Sequence, residues 1–141
     1  MAVAFRASTG VIGTTFTTTA TVVIPATVQA GDVLYCQAAV NETANNAVAC
    51  TCTDDDTGGN TWTQLQRGTN GNSWLWYKVA TSGTASKTIT VGSAEDSVCA
   101  LVAAYSGAAA GDPTTNLSYE DNISGNETHA GFTPANAGSM I

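Results

Sequence analysis

The chain has 141 residues, of which 43% are apolar and only 11% charged, and its formal net charge is -7. That length suits a single domain with a core of its own. The only permanent cations are Arg6, Arg67, Lys78 and Lys87, so no clustered basic patch awaits phosphate, and nucleic acid is excluded as an expected partner.

Thr, Ser, Asn and Gly supply most of the polarity. Threonine is β-branched and fits a pleated surface, whereas Gly, Asn and Asp fit turns, so the bias predicts strands and turns rather than helices. No apolar run reaches the length of a membrane-spanning helix. The start, Met1-Ala-Val-Ala-Phe5-Arg6, lacks the charged, apolar and small-residue regions of a secretory signal, which predicts synthesis in the cytoplasm.

In chain order, Ala2 to Ala7 reads as a short strand ending at Ser8-Thr9-Gly10. A long Thr-rich strand follows over Thr14 to Ile24, with Thr17, Thr19 and Thr21 on one face and Phe16, Val22 and Ile24 on the other, until Pro25 stops it. Val33 to Val40 follows the turn at Gly31-Asp32 and is apolar on both faces, which suits a central strand or a protein contact. Asn41 to Asn46 is a polar loop, Ala47 to Thr53 a short strand and Asp54 to Asn60 a turn cluster.

Thr61 to Arg67 and Ser73 to Ala80 read as a hairpin around Gly68-Thr-Asn-Gly-Asn72. Its second arm puts Trp74 and Trp76 on one face and Leu75, Tyr77 and Val79 on the other. Lys87 to Val91 alternates, and Val98 to Tyr105 repeats the two-sided apolar character of Val33 to Val40, making these two the expected sheet centres. Beyond Ser106-Gly107 the reading is a long polar loop region over 108–137, with a short strand near Asn116 to Tyr119, and the start of a terminal strand at 138–141. Short strands separated by turns, with no internal repeat, predict one all-β domain over 1–141, an antiparallel β-sandwich.

Cys36, Cys50, Cys52 and Cys99 do not match a zinc pattern, since Cys-x-Cys is tighter than finger spacing and the sole His129 is distant. Cys50 and Cys52 share a strand face and would bond elsewhere rather than to each other. Cys36 and Cys99 lie in apolar strands and are expected to be buried. Two readings stand: small buried hydrophobes, or one disulfide formed in an oxidising medium, its pairing open.

Asp54, Asp56 and Asn60 are hard oxygen ligands that calcium would accept, but the segment lacks the twelve-residue loop of an EF-hand, and a solvated turn is the simpler reading. Ser124, His129 and Asp121 contain the residue types of a hydrolase triad without a nucleophile elbow or oxyanion loop. Glu95, Asp96, Glu120 and Asp121 are acids of the glycosidase type, but adjacency in turns is not the separated placement that chemistry needs. The chain is therefore expected not to be an enzyme and to need no cofactor.

Trp62, Trp74 and Trp76 offer aromatic faces for a sugar ring. Core packing accounts for Trp76, and Trp74 is the member expected to be exposed for ligand stacking. Asn41-Glu-Thr43, Asn116-Leu-Ser118, Asn122-Ile-Ser124 and Asn126-Glu-Thr128 match the glycosylation pattern, as a chain rich in Asn, Ser and Thr will by chance.

Four short motifs follow one another: Ile24-Pro25 with Ala30-Gly31-Asp32-Val33-Leu34; Asp56-Thr-Gly-Gly59-Asn60-Thr61-Trp62-Thr63; Trp76-Tyr77-Lys78-Val79-Ala80; and Leu101-Val-Ala-Ala-Tyr105-Ser106-Gly107. Over roughly Ala20 to Pro113 this succession resembles a β-sandwich domain found in bacteriophage virion proteins and in secreted or cell-surface proteins of bacteria. The resemblance implies a jelly-roll-like sandwich, with an immunoglobulin-like one as the alternative, and architectural rather than catalytic roles for these motifs. Relatives continue through further strands beyond the equivalent of Ala137-Gly-Ser-Met-Ile141. The sandwich would then close with fewer strands or leave an edge for a neighbouring subunit.

These readings converge on two expectations. One is a virion structural protein: a capsid decoration or cement protein on the exterior of a tailed phage. It would contact the major capsid protein or other virion proteins and form a homo-oligomer, by preference a trimer, with no membrane or nucleic-acid partner. The other is a carbohydrate-binding or adhesin module of a tail fibre or cell surface, with a glycan as its ligand.

Overall fold

The structure, a computed structural model, describes residues 3–11, 17–40, 49–58, 61–67, 73–93 and 98–108. Thr14 to Phe16 of the expected second strand, the strand near 116–119, nearly all of the expected polar loop and the terminal segment 138–141 lie outside the described residues.

The described residues form strands and turns and no helix. The strands are β1 (Ala4–Val11), β2 (Thr19–Val23), β3 (Val33–Val40), β4 (Cys50–Asp54), β5 (Thr63–Arg67), β6 (Ser73–Val79), β7 (Thr88–Ser93) and β8 (Val98–Ser106). Their order is β1-β8-β3-β6-β5 in a five-stranded sheet and β2-β7-β4 in a three-stranded sheet. Every pairing is antiparallel. β3 is the centre of the larger sheet with β8 beside it, as their two-sided apolar character requires.

First pairs with last, second with second-last and third with third-last: β1 with β8, β2 with β7, β3 with β6. This is a long hairpin rolled into two sheets, the jelly-roll order. An immunoglobulin-like sandwich pairs its first and second strands in one sheet, whereas here β1 and β2 lie in different sheets. β5 departs from the roll and pairs with β6 rather than β4, as the expected hairpin requires.

Alternation decides which side chains enter the core. Leu34, Cys36, Ala38 and Val40 from β3 are buried together with Val98, Ala100, Val102 and Ala104 from β8 and Trp74 and Trp76 from β6. The opposite sheet contributes Ala20, Val22, Ile89, Val91 and Cys50, with Ile24 just past β2. Small residues on β3 make room for large ones on β6, since Ala38 lies opposite Trp74 and Cys36 opposite Trp76. The two indoles stack with centroids 5.8 Å apart and planes 7° from parallel. Each buried aliphatic side chain contributes about 1.5–3 kcal/mol.

The turn into β3 is built locally. Asp32 N donates to Gln29 O at 3.1 Å, Gln29 N donates to Asp32 Oδ2 at 2.8 Å, and Gly31 sits at φ 89°, a conformation open to glycine without strain. Arg6 of β1 pairs with the same Asp32 carboxylate. The start of β1 is thereby tied to the start of β3 across the end of β8.

Candidate functional site

The acidic turn presents only Asp55 to solvent and turns the carboxylates of Asp54 and Asp56 inward. β4 carries Cys50, Cys52 and Asp54 on its inward face, while β6 turns Trp74, Trp76 and Lys78 inward. Lys78 therefore points into the gap between the sheets, where its Nζ donates to Asp54 Oδ2 at 2.7 Å and to Asp56 Oδ2 at 3.2 Å. The Lys78 side chain is 0% exposed, and those of Asp54 and Asp56 are 6% and 3% exposed. A buried ammonium needs this pairing, because desolvation without it costs several kcal/mol.

Neutral donors complete the arrangement. Trp62 Nε1 donates to Asp54 Oδ2 at 2.8 Å. Asp56 Oδ2 also accepts from Thr84 Oγ1 at 2.7 Å and Thr81 Oγ1 at 3.2 Å, while Thr84 Oγ1 accepts from Thr81 N at 2.8 Å. The Thr84 hydroxyl, against the opposing effect of burial and with help from Lys78, holds the Asp56 carboxyl down at about 2.

This corrects the reading of the segment as a solvated turn at Asp54 and Asp56, while Asp55, Thr57 and Gly58 are exposed. It also places an internal cation where calcium was considered, since Asp54 and Asp56 converge on Lys78; Asn60 lies outside the described residues. Among the described residues no group of three or more His, Cys, Asp or Glu is arranged to hold a metal. The cluster is a bolt between two sheets.

Trp74 is not the exposed member of the tryptophan set. It is 4% exposed, as is Trp76, and stacking on Trp76 inside the core leaves neither indole face for a ligand. Trp62 is half-buried with its ring nitrogen committed to Asp54.

Three of the four cysteines meet in the interior. Cys36 and Cys50 are buried, and half-buried Cys52 packs against the same core. The influence of Cys36, together with burial, pushes the ionisation of the Cys52 thiol far above the usual thiol range. Burial raises the Cys50 thiol to about 11. Cys99 was expected to be buried, but it lies on the opposite face of β8, half-exposed, donating to Ala39 O at 3.6 Å. All four thiols are free.

The larger surface feature is the outer face of the five-stranded sheet. Register places its outward residues in rows: Phe5, Tyr105, Val33 and Val79; then Ser8, Ala103, Tyr35, Tyr77 and Thr63; then Gly10, Leu101, Gln37 and Leu75. None of these is charged. Phe5 is 56% and Leu101 45% exposed. Tyr105 makes edge-to-face contacts with Phe5 at 5.7 Å and Tyr35 at 5.9 Å, the geometry aromatic rings prefer.

The outer face of the smaller sheet is uncharged as well but is covered mainly by threonines, Thr19, Thr21, Thr51, Thr53, Thr88 and Thr90, with Val23 exposed at its end. Thr51 and Thr53 bond to carbonyls of β7. Among the residues whose side chains are described, the charged ones, Arg6, Asp32, Asp54, Asp55, Asp56, Lys78 and Lys87, belong to the pole where β3 and β7 begin and β4 and β6 end.

Sequence reasoning saw the apolar outer side of β3 but not the sheet-wide face, which depends on register. Lys78 was discoverable, because it shares strand parity with Trp74 and Trp76. Ser124, His129, Asp121, Glu120, Glu95, Asp96 and the asparagines of the glycosylation matches lie outside the described residues. Comparison of the chain with protein-family models, with curated proteins and with solved structures returned no match.

Proposed function

We propose that this domain acts by contact rather than catalysis, as a virion structural protein of the decoration or cement kind that docks another virion protein through the outer face of its five-stranded sheet. The observation carrying this reading is that every outward position of that face with a described side chain is uncharged, in a chain of net charge -7. Contiguous apolar surface rimmed by polar groups is a mark of interaction sites, and aromatic residues are enriched where proteins meet. The resemblance to phage virion sandwiches supports the same reading. A homo-oligomer, by preference a trimer, would bridge joints between capsid subunits and add buried area against internal pressure.

A glycan-binding module is the second reading, favoured now by Tyr35, Tyr77 and Tyr105 on one flat face rather than by Trp74. Co-sedimentation of purified protein with capsids lacking their decoration separates the two. Saturable attachment that is lost in a Leu101→Lys variant, with no retention on immobilised glycans, supports decoration. Glycan retention lost in Tyr77→Ala, with no capsid attachment, overturns it.

A further inference from the structure

Lys78 brings a primary amine, sealed from solvent, against two enclosed carboxylates. Its Nζ lies 2.7 Å from Asp54 Oδ2 and 3.2 Å from Asp56 Oδ2. An amine in hydrogen-bond contact with a carboxylate oxygen stands close to the carboxyl carbon, near the separation of about 3–3.5 Å at which reacting atoms are poised. The Asp54 carboxyl is held at both oxygens, since Asp56 N donates to Oδ1 at 3.1 Å and Trp62 Nε1 to Oδ2 at 2.8 Å. In water an amine and a carboxylic acid stay apart as hydrated ions. Here burial withholds that hydration, so the charged pair carries a desolvation cost that a neutral amide between the same side chains would not.

We infer that Lys78 and Asp54 are the reactants of a self-catalysed condensation that joins β6 to β4 through a side-chain amide, with Asp56 as the proton carrier. The ion pair is the reactant state. A proton passes from Nζ to Asp54 Oδ2 along their hydrogen bond, leaving a neutral amine and a carboxylic acid. The Nζ lone pair attacks Asp54 Cγ, and the charge that develops on Oδ1 is met by the Asp56 backbone N–H. Asp56 Oδ2 takes a second proton from the nitrogen and passes it to Asp54 Oδ2, the Cγ–Oδ2 bond breaks, and one water leaves. The third proton stays on the amide nitrogen. One positive and one negative charge have cancelled, and no oxidant or cofactor is consumed.

Asp56 enters and leaves the step as a carboxylate, as its hold at about 2, by Thr84 above all, requires. It carries the proton only in transit. Water reaches Lys87 and Asp55, so neither should react, and both serve as internal controls. The condensation concerns the interior and is independent of docking at the outer face.

The test is mass analysis of the purified full-length chain, held folded at neutral pH, before and after trypsin. The expected intact mass falls short of the sequence mass by one water. Trypsin does not cut after an acylated lysine, so the digest should hold a branched peptide in which residues 7–67 are joined to 68–87. A cyclic imide at one aspartate also loses water, but it leaves 68–78 and 79–87 as separate peptides. Fragmentation should place the branch at Asp54 and Lys78, and Asp54→Ala and Lys78→Arg should lack it. Asp56→Asn, which keeps the side-chain volume, should form the branch roughly 100-fold more slowly. An intact mass equal to that of the sequence, full release of 68–78 as a free peptide, a branch at Lys87 or Asp55, or an Asp56→Asn variant as fast as the parent overturns the proposal. The first three readings come from the parent chain and hold even if the buried variants do not fold.

Discussion

Lys78 and Asp54 meet between the two sheets, with Nζ 2.7 Å from Oδ2 and the ammonium sealed from solvent. β6 belongs to the larger sheet and β4 to the smaller one, so this contact clamps the sandwich at its charged pole. Removing the cation leaves Asp54 and Asp56 buried without compensation. Lys78→Met should therefore cost about 3–5 kcal/mol in urea unfolding, despite keeping most of the side-chain volume. Combining it with Asp54→Asn and Asp56→Asn should recover part of that loss, because the stranded charges are gone. A Lys78→Met loss under 1 kcal/mol would show that the bolt carries little.

Acid should loosen the same pole in a defined window. Asp56 is held at about 2 in the fold, by Thr84 first and Lys78 after it, and relaxes to an ordinary carboxylate, near 4, when unfolded. A depressed folded value means that the unfolded state binds more protons, so this contribution is complete above about pH 4 and drains away as pH falls toward 2. Melting temperature followed from pH 6 to 2 should show that fall. Thr84→Val removes the hydroxyl donor and should move the Asp56 titration, followed by carboxyl NMR, upward. An unmoved titration would assign the shift to Lys78 alone.

Trp74 separates a core role from a ligand role. Its burial and its stack on Trp76 predict that Trp74→Ala costs about 3–5 kcal/mol, the range for emptying a large aromatic site. Ligand saturation should not protect the tryptophan fluorescence of the native protein from added quencher, since the ring is already shielded. A stable Trp74→Ala variant would contradict the stacked core.

Strand positions were legible because alternation is a local signal. Val33 to Val40 and Val98 to Tyr105 show two-sided apolar character in sequence, and both lie at the heart of the larger sheet. Thr17, Thr19 and Thr21 face out while Val22 and Ile24 face in. Contacts between sheets were not legible. Asp54 reads as a turn acid until β4 is known to face β6. Cys99 shows the limit within one strand: apolar neighbours suggested burial, but parity with Leu101 and Tyr105 turns it outward.

The outer face of the larger sheet yields the sharpest functional prediction. Leu101 leans over Gly10, where an added Cβ would come within 3.1 Å of Leu101 Cδ1, so the missing side chain at Gly10 lets the leucine lie across β1. Phe5 stands beyond it in the same face. Both residues are largely exposed, and substitutions of such surface positions usually change stability by no more than about 0.5 kcal/mol. Phe5→Lys and Leu101→Lys should therefore melt close to the parent while abolishing attachment to undecorated capsids, because each puts an unpaired charge into an apolar contact. Thr21→Lys, on the threonine-covered face of the other sheet, should attach like the parent. Equal attachment by all three variants would move the docking surface away from the five-stranded sheet.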